Sequence, residues 1–205
     1  MNKNEIDSIR KYDSIAQNYD DSPDGKFTAR FKEKILEFCK VSNGEIVLDV
    51  GCGNGSLINA INKKGDIQAY GIDISPNMIS ECRKRYSDIT FNTSTGEKLD
   101  FSKNNFDVIT ICCVLHHLNN PQKFFEEAQR VLKPGGVLIV GDPWFPFGVR
   151  HLVDWVVSPL VKAGDNKIFS HAQLRQLFLT NGFEITETYK KGFVQIVKGN
   201  KITKL

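Results

Sequence analysis

The stretch VLDVGCGNGSL, Val47 to Leu57, sets an apolar run against three glycines at alternate positions, Gly51, Gly53 and Gly55. An apolar run ending in glycines reads as a buried strand that turns sharply into a helix. Glycine lacks the Cβ that blocks a tight turn or the close approach of a ligand. In an open parallel sheet such a turn lies beyond the carboxyl end of a strand, where ligands bind at the reversal of strand order. Asp49 bears on which ligand that is. A carboxylate just before the glycines repels a pyrophosphate, and Ser56 stands where the dinucleotide pattern GxGxxG has its third glycine.

Outward from this turn the chain alternates. Upstream, apolar residues at helical spacing (Ile6, Ile9, Tyr12, then Phe27, Phe31, Ile35, Phe38) predict helices near residues 5–20 and 25–40. EIVLDV is the strand before the glycines and GSLINAINKK the helix after them. IQAYGIDI is a second strand, and Pro76 suits the first turn of a helix, PNMISECRKRY. ITFNTS and FDVITICCVL are the third and fourth strands. PQKFFEEAQRVL is a helix stopped by Pro134, with Gly135 and Gly136 turning the chain into a fifth strand, VLIVGD. This alternation predicts a parallel sheet covered on both faces. The aromatic-rich stretch DPWFPFGVRHLVDWVVSPL follows, then a helix near HAQLRQLFLTNG and two strands, FEITETYK and FVQIVKG. Only KG separates those strands, so they form an antiparallel hairpin, since a parallel pair needs a long crossover.

The chain's 205 residues, 40% apolar and 25% charged, suit one globular domain. We read residues 1–205 as a single domain, with 1–42 as an N-terminal helical lid and 143–170 as an insertion on the substrate side. The net charge of +3 argues neither for a nucleic-acid partner nor against one. No apolar run approaches the roughly 20 residues of a membrane span. The charged start MNKNEIDSIRKYD has no apolar core of a leader peptide, and a cytoplasmic location is expected. Cys39, Cys52, Cys82, Cys112 and Cys113 form no CxxC pair. They are expected as buried thiols, with no metal site or disulfide frame.

Asp73 ends the second strand, where a carboxylate accepts the two hydroxyls of a ribose. A nucleoside without phosphate, its ribose on Asp73 and a cationic end near Asp49, fits S-adenosylmethionine, which carries a sulfonium and an ammonium. The segments VLDVGCGNGSL, YGIDISPNMI, FDVITICCVLHHL and LKPGG, in that order, resemble the successive motifs of class I S-adenosylmethionine-dependent methyltransferases. The likeness is greatest to the small-molecule branch that includes the ubiquinone/menaquinone-biosynthesis C-methyltransferases. It covers about residues 10–142 well and the rest in outline.

The resemblance implies an α/β, Rossmann-like, doubly wound seven-stranded sheet of order 3-2-1-4-5-7-6, ending in the antiparallel hairpin. Position by position, it implies that Asp49 and Gly51, Cys52, Gly53, Asn54 and Gly55 line the methionine part of the cofactor. Asp73 takes the ribose hydroxyls, and Ile74 and Met78 pack near the adenine. Where the family has an acidic residue before a small one, this chain has Thr95 before Gly96, followed by Glu97. The Thr95 hydroxyl and the Gly96 N–H are then the expected contacts. Tyr12 and Tyr19, in KYDSIAQNYD, would close over the cofactor, and Cys112 would offer its backbone carbonyl to the ammonium.

Methyl transfer from a sulfonium is an in-line displacement, for which the protein positions the acceptor and excludes water. Neither a catalytic triad nor a metal is required. His117 and Asp142 are the candidate bases for an acceptor that arrives protonated. Trp144 and Phe147, after the fifth strand, are candidate walls for the acceptor. The expected function is methylation of a small-molecule acceptor, with S-adenosylhomocysteine as the product. The expected assembly is a monomer or homodimer without nucleic acid. A non-catalytic S-adenosylmethionine-binding module and an NAD-type oxidoreductase are the alternatives.

Overall fold

In the computed structural model, residues 3–146 and 167–203 are described. Helix α1 (Lys3–Ile15), a 3₁₀ segment (Ala16–Asp21) and α2 (Pro23–Phe38) precede the sheet. The chain then runs β1 (Ile46–Val50), α3 (Ser56–Asn62), β2 (Gln68–Asp73), α4 (Pro76–Arg85), β3 (Thr90–Thr93) and β4 (Phe106–Cys112). A 3₁₀ turn (Leu115–His117), α5 (Pro121–Val131) and β5 (Leu132–Pro143) follow. The last described elements are α6 (His171–Thr180), β6 (Phe183–Lys191) and β7 (Val194–Lys201). The sheet order is β3-β2-β1-β4-β5-β7-β6, as expected. The first five strands pair in parallel and β7 is antiparallel to both β5 and β6.

Alternation along the strands builds two cores. Leu48, Val50, Ile109, Ile111, Leu138 and Val140 face Phe124 and Phe125 of α5 and Phe178 of α6. Their neighbours Val47, Val108 and Ile139 point the other way, toward Phe31 and Ile35 of α2 and Leu57, Ile58 and Ile61 of α3. Both faces of the sheet are therefore dry, which is why these strands read as unbroken apolar runs. The helices begin where the sequence places small polar residues. The Ser22, Ser75 and Asn120 side chains each accept a first-turn amide, with proline next in line. Ser170 and Gln173 form a reciprocal capping box on α6. No helix among the described residues is long and apolar enough to cross a membrane.

Three boundaries differ from expectation. β5 starts at Leu132, not after the glycines. Leu132 is fully buried and pairs with Phe106, while Val108 pairs with Val137, so Lys133–Gly136 bulges out of the strand. Burial of Leu132 pulls the chain into the sheet before Pro134, and Gly135 absorbs the bulge at φ 75°. β4 stops at Cys112 because Cys113 turns to φ 55°. The segment read as a lid is divided. Phe31 and Ile35 place α2 in the body of the fold, and α1 leaves only Ser8 buried.

Of the stretch read as an insertion, residues 147–166 lie outside the described residues. Its two ends meet at Gln195, which is fully buried. Gln195 Nε2 donates to the carbonyls of Phe169 at 2.9 Å and Pro143 at 3.3 Å.

Candidate functional site

Strand order reverses between β1 and β4, and a cavity opens there beyond the carboxyl ends of the parallel strands. It measures about 810 Å³, counting the space open at its mouth.

The glycine turn forms its floor, and the glycines have separate tasks. Gly51, at φ 67°, has no room for a side chain, since a Cβ would meet Val114 Cγ2 at 2.2 Å. Gly53, at φ 53°, faces open space, where a Cβ would find only the edge of the Tyr19 ring at 3.9 Å. The first glycine lets Val114 pack, and the second leaves room for a ligand.

Asp73 closes the end of β2 and lines the cavity. Its Oδ2 accepts the Gly53 N–H at 2.8 Å and its Oδ1 the Ser75 N–H at 2.9 Å. Burial pushes this carboxyl above the ordinary carboxylate range, and the backbone N–H groups of Ser75, Gly53 and Ile74 pull it part of the way back. Each oxygen keeps a further lone pair for a ligand hydroxyl. Ile74, Met78 and Leu118 supply apolar wall, and Thr95, Gly96 and Glu97 an edge bearing polar groups. Glu97 Oε1 also accepts the Asn120 N–H at 2.9 Å.

Tyr12, Tyr19, Gly51, Gly53, Asp73, Ile74, Met78, Thr95, Gly96, Glu97, Cys112 and His117 therefore share one cavity. Four residues expected beside them do not reach its wall. Asp49 lies under the floor, 1% exposed, with its Oδ1 accepting the Thr110 hydroxyl at 2.7 Å. Burial raises its carboxyl to about 7. Cys52 turns its thiol into the core beside Gly71. The Asn54 amide is spent on structure: Nδ2 donates to Asp20 at 2.7 Å, holding the 3₁₀ segment against the loop. Gly55 caps α3 at φ 76°, with a space for Cβ filled by Tyr86, Cys82 and Phe91.

The acceptor side differs in the same way. Asp142 is fully buried and sits 2.8 Å from His116 Nδ1, behind the wall and not on it. Trp144 also stands off the cavity, its ring under Lys190 Nζ at 4.3 Å and its backbone N–H bonded to the Phe193 carbonyl. Phe147 lies outside the described residues.

Sequence reasoning missed Glu5, Ser8 and Thr28, which reach the cavity from α1 and α2, and Asn119 beyond β4. Glu5 Oε1 accepts from Asn119 Nδ2 at 3.1 Å, and the Tyr12 hydroxyl lies 3.1 Å from His117 Nε2. Contacts across more than 100 residues leave no local signal. Among the described residues the wall carries the carboxylates of Glu5, Asp73 and Glu97 and no lysine or arginine. Such a wall suits a cationic nucleoside and disfavours a pyrophosphate.

A model of the methyltransferase domain matches residues 48–140. The demethylmenaquinone methyltransferase of Symbiobacterium thermophilum is 30% identical over 215 aligned positions, covering 86% of this chain and 84% of that protein. The demethylmenaquinone methyltransferase of Tropheryma whipplei (strain Twist) is 38% identical over 115 positions, covering 55% of this chain and 47% of that protein. This chain therefore spans about half the length of the latter relative. In fold it is similar to a chain in the complex of the Haloferax volcanii Trm112 methyltransferase activator with a methyltransferase. The TM-score is 0.83 at 19% identity, over 94% of this chain and 98% of that one. Sequence and fold agree with the motifs around the glycine turn, and the chain belongs to the class I S-adenosylmethionine-dependent methyltransferases.

Proposed function

We propose that this protein methylates a small-molecule acceptor, leaving S-adenosylhomocysteine. The observation that carries the reading is the cavity over Gly53, with Asp73 at one side and a wall of carboxylates without lysine or arginine among the described residues. S-adenosylmethionine, when bound, supplies the electrophilic methyl group on a sulfonium. The residues present fit it: Asp73 for the ribose hydroxyls, Ile74, Met78 and Leu118 for the base, and Thr95, Gly96 and Glu97 for its polar edge. Gly51, Gly53 and the Cys112 backbone take the amino-acid end, and Tyr12 and Tyr19 cover it. Asp49 acts from beneath, as a buried acid whose negative charge a cation above the floor would favour. Catalysis then rests on position and on exclusion of water by α1.

The relatives' name, demethylmenaquinone methyltransferase, makes a naphthoquinone the first acceptor to try; we take its reduced form, whose ring hydroxyls can give a proton to His117 on the wall. Trp144 and Phe147 remain our candidates for contact with its far end.

The test is calorimetry with S-adenosylhomocysteine, followed by transfer of labelled methyl from S-adenosylmethionine to reduced 1,4-naphthoquinones and to metabolite extracts. Binding is expected in the micromolar range, about −8 kcal/mol. Binding of NAD in place of either adenosyl ligand overturns the reading. Adenosyl binding with no labelled product from any acceptor leaves a binding module and not an enzyme.

A further inference from the structure

We propose that Tyr12 and His117 are the acid–base pair of this site, assembled only while α1 lies closed over the cavity. The proposal rests on the methyl-transfer reading above. Tyr12 belongs to α1 and His117 to the 3₁₀ turn after β4, 105 residues away in sequence. Both line the cavity, their rings meet edge-on at 5.8 Å, and the Tyr12 hydroxyl is 3.1 Å from His117 Nε2. With the ring proton on Nδ1, Nε2 accepts the tyrosine hydroxyl. An acceptor hydroxyl can then pass its proton to the tyrosine oxygen as the tyrosine proton moves to Nε2. The acceptor is left as an oxyanion, the tyrosine is unchanged and the imidazole becomes imidazolium. One proton has crossed the pair and no further reactant is needed.

The surroundings hold the His117 ring in place. The His116 ring lies tilted at 41° against the His117 ring with centroids 4.1 Å apart, and His116 Nδ1 is bonded to Asp142. The Asp142 carboxylate is fully buried, and its Oδ2 has no hydrogen-bond partner among the described residues. The Asp142 carboxyl, bonded to His116 Nδ1, fixes the His116 ring, and that ring in turn backs the His117 ring. His116 and Asp142 act through His117 and are positioning residues.

Assembly depends on α1, and other bonds dock that helix. Asp13 Oδ1 accepts the Ser75 hydroxyl at 2.5 Å and the Asn77 N–H at 3.1 Å. Loss of the tyrosine hydroxyl should therefore leave α1 in place, whereas loss of the Asp13 carboxylate should remove the pair by letting α1 lift. This separates the pair from a plain cofactor contact.

The experiment uses the full chain with Tyr12→Phe, His117→Asn, their double variant and Asp13→Ala. Nitrogen-15 resonances of the His117 ring, read without ligand, report the bond directly. Nε2 is expected to shift in Tyr12→Phe and in Asp13→Ala, while amide exchange over residues 3–15 accelerates only in Asp13→Ala. With a reduced 1,4-naphthoquinone as acceptor, Tyr12→Phe and His117→Asn should each lower kcat roughly a hundredfold or more. The double variant should fall no further than the worse single one, because the two groups act as a unit. S-adenosylhomocysteine affinity of His117→Asn should stay within about threefold of wild type, and Tyr12→Phe, which keeps the ring that covers the cofactor, should lose far less in affinity than in kcat. The proposal is overturned if the Nε2 resonance ignores Tyr12→Phe, if the two losses multiply, or if Tyr12→Phe acts only by weakening S-adenosylhomocysteine. A wild-type protein that binds the adenosyl ligand but transfers no methyl overturns the functional reading and the catalytic role with it. The resonance would then still show whether the bond forms.

Discussion

Asp73 holds the Gly53 amide at 2.8 Å, so one carboxylate both fastens the glycine turn to the end of β2 and lines the cavity above it. The acid is thus shared between structure and ligand. Asp73→Ala removes a charge-assisted acceptor, worth roughly 1.5–3 kcal/mol for each hydrogen bond lost. Affinity for S-adenosylhomocysteine should fall at least about tenfold. Asp73→Asn keeps one acceptor oxygen and should fall less. Calorimetry on both variants, with circular dichroism to establish folding, checks the order. Equal affinity in wild type and Asp73→Ala would make Asp73 a turn residue only.

The glycines at 51 and 53 should fail differently. Gly51→Ala forces a Cβ to 2.2 Å from Val114 at a left-handed φ, so it should cost several kcal/mol by overpacking and strain. Gly53→Ala meets nothing nearer than 3.9 Å, so it should cost only about 1 kcal/mol of backbone strain. Its methyl group occupies ligand space, and adenosyl binding should drop sharply. Urea denaturation and calorimetry on the two variants separate these effects. The same ranking by both measurements would contradict the assignment.

Asp49 makes stability depend on pH in a defined direction. Its carboxyl is raised from an ordinary 3.8 to about 7, chiefly by burial. Below 3.8 folded and unfolded states both hold the proton, and this group contributes no pH dependence. Between 3.8 and 7 only the folded state keeps it, so stability falls as pH rises, by about 1.36 kcal/mol per unit. Above 7 the folded protein carries the buried charge, at a cost on the order of 4 kcal/mol. Asp49→Asn, which can still accept from Thr110, should be more stable than wild type at pH 8 and converge with it toward pH 4. It should also bind a cationic adenosyl ligand less tightly. Denaturation curves that stay parallel across this range would refute the buried charge.

Gln195 joins both ends of the 143–170 stretch to the sheet, with Nε2 on two carbonyls and Oε1 3.3 Å from His171 Nδ1. Gln195→Leu strands the Phe169 and Pro143 carbonyls and should destabilise by about 2–3 kcal/mol. If a urea melt shows no change, water has replaced the amide.

Much of this architecture is legible in the sequence alone. Val47–Val50 and Phe106–Cys112 announce themselves as strands buried on both faces, because a dry sheet tolerates few polar side chains. Ser75-Pro76 and Asn120-Pro121 announce helix starts, because capping is settled within one turn of chain. The two-residue gap before Phe193 admits only a hairpin. Asp73 was legible for the same reason, since the end of a strand beside a glycine turn is a local address.

Tertiary packing alone decided the rest. Asp49 and Asp73 look equivalent in the sequence, but the direction of its side chain sends Asp49 under the floor to Thr110 while Asp73 reaches the cavity. Gly51 and Gly53 differ only in what stands opposite, Val114 for one and open space for the other. Leu132 joins the sheet early because Phe106 is there to pair with it. Glu5, Ser8 and Tyr12 reach the wall because Asp13 docks α1 on the start of α4, and no spacing rule relates them to His117. Periodicity records which way a side chain points along its own element. What it meets there depends on residues up to 114 positions away, as between Glu5 and Asn119, and their meeting is set by how whole elements pack.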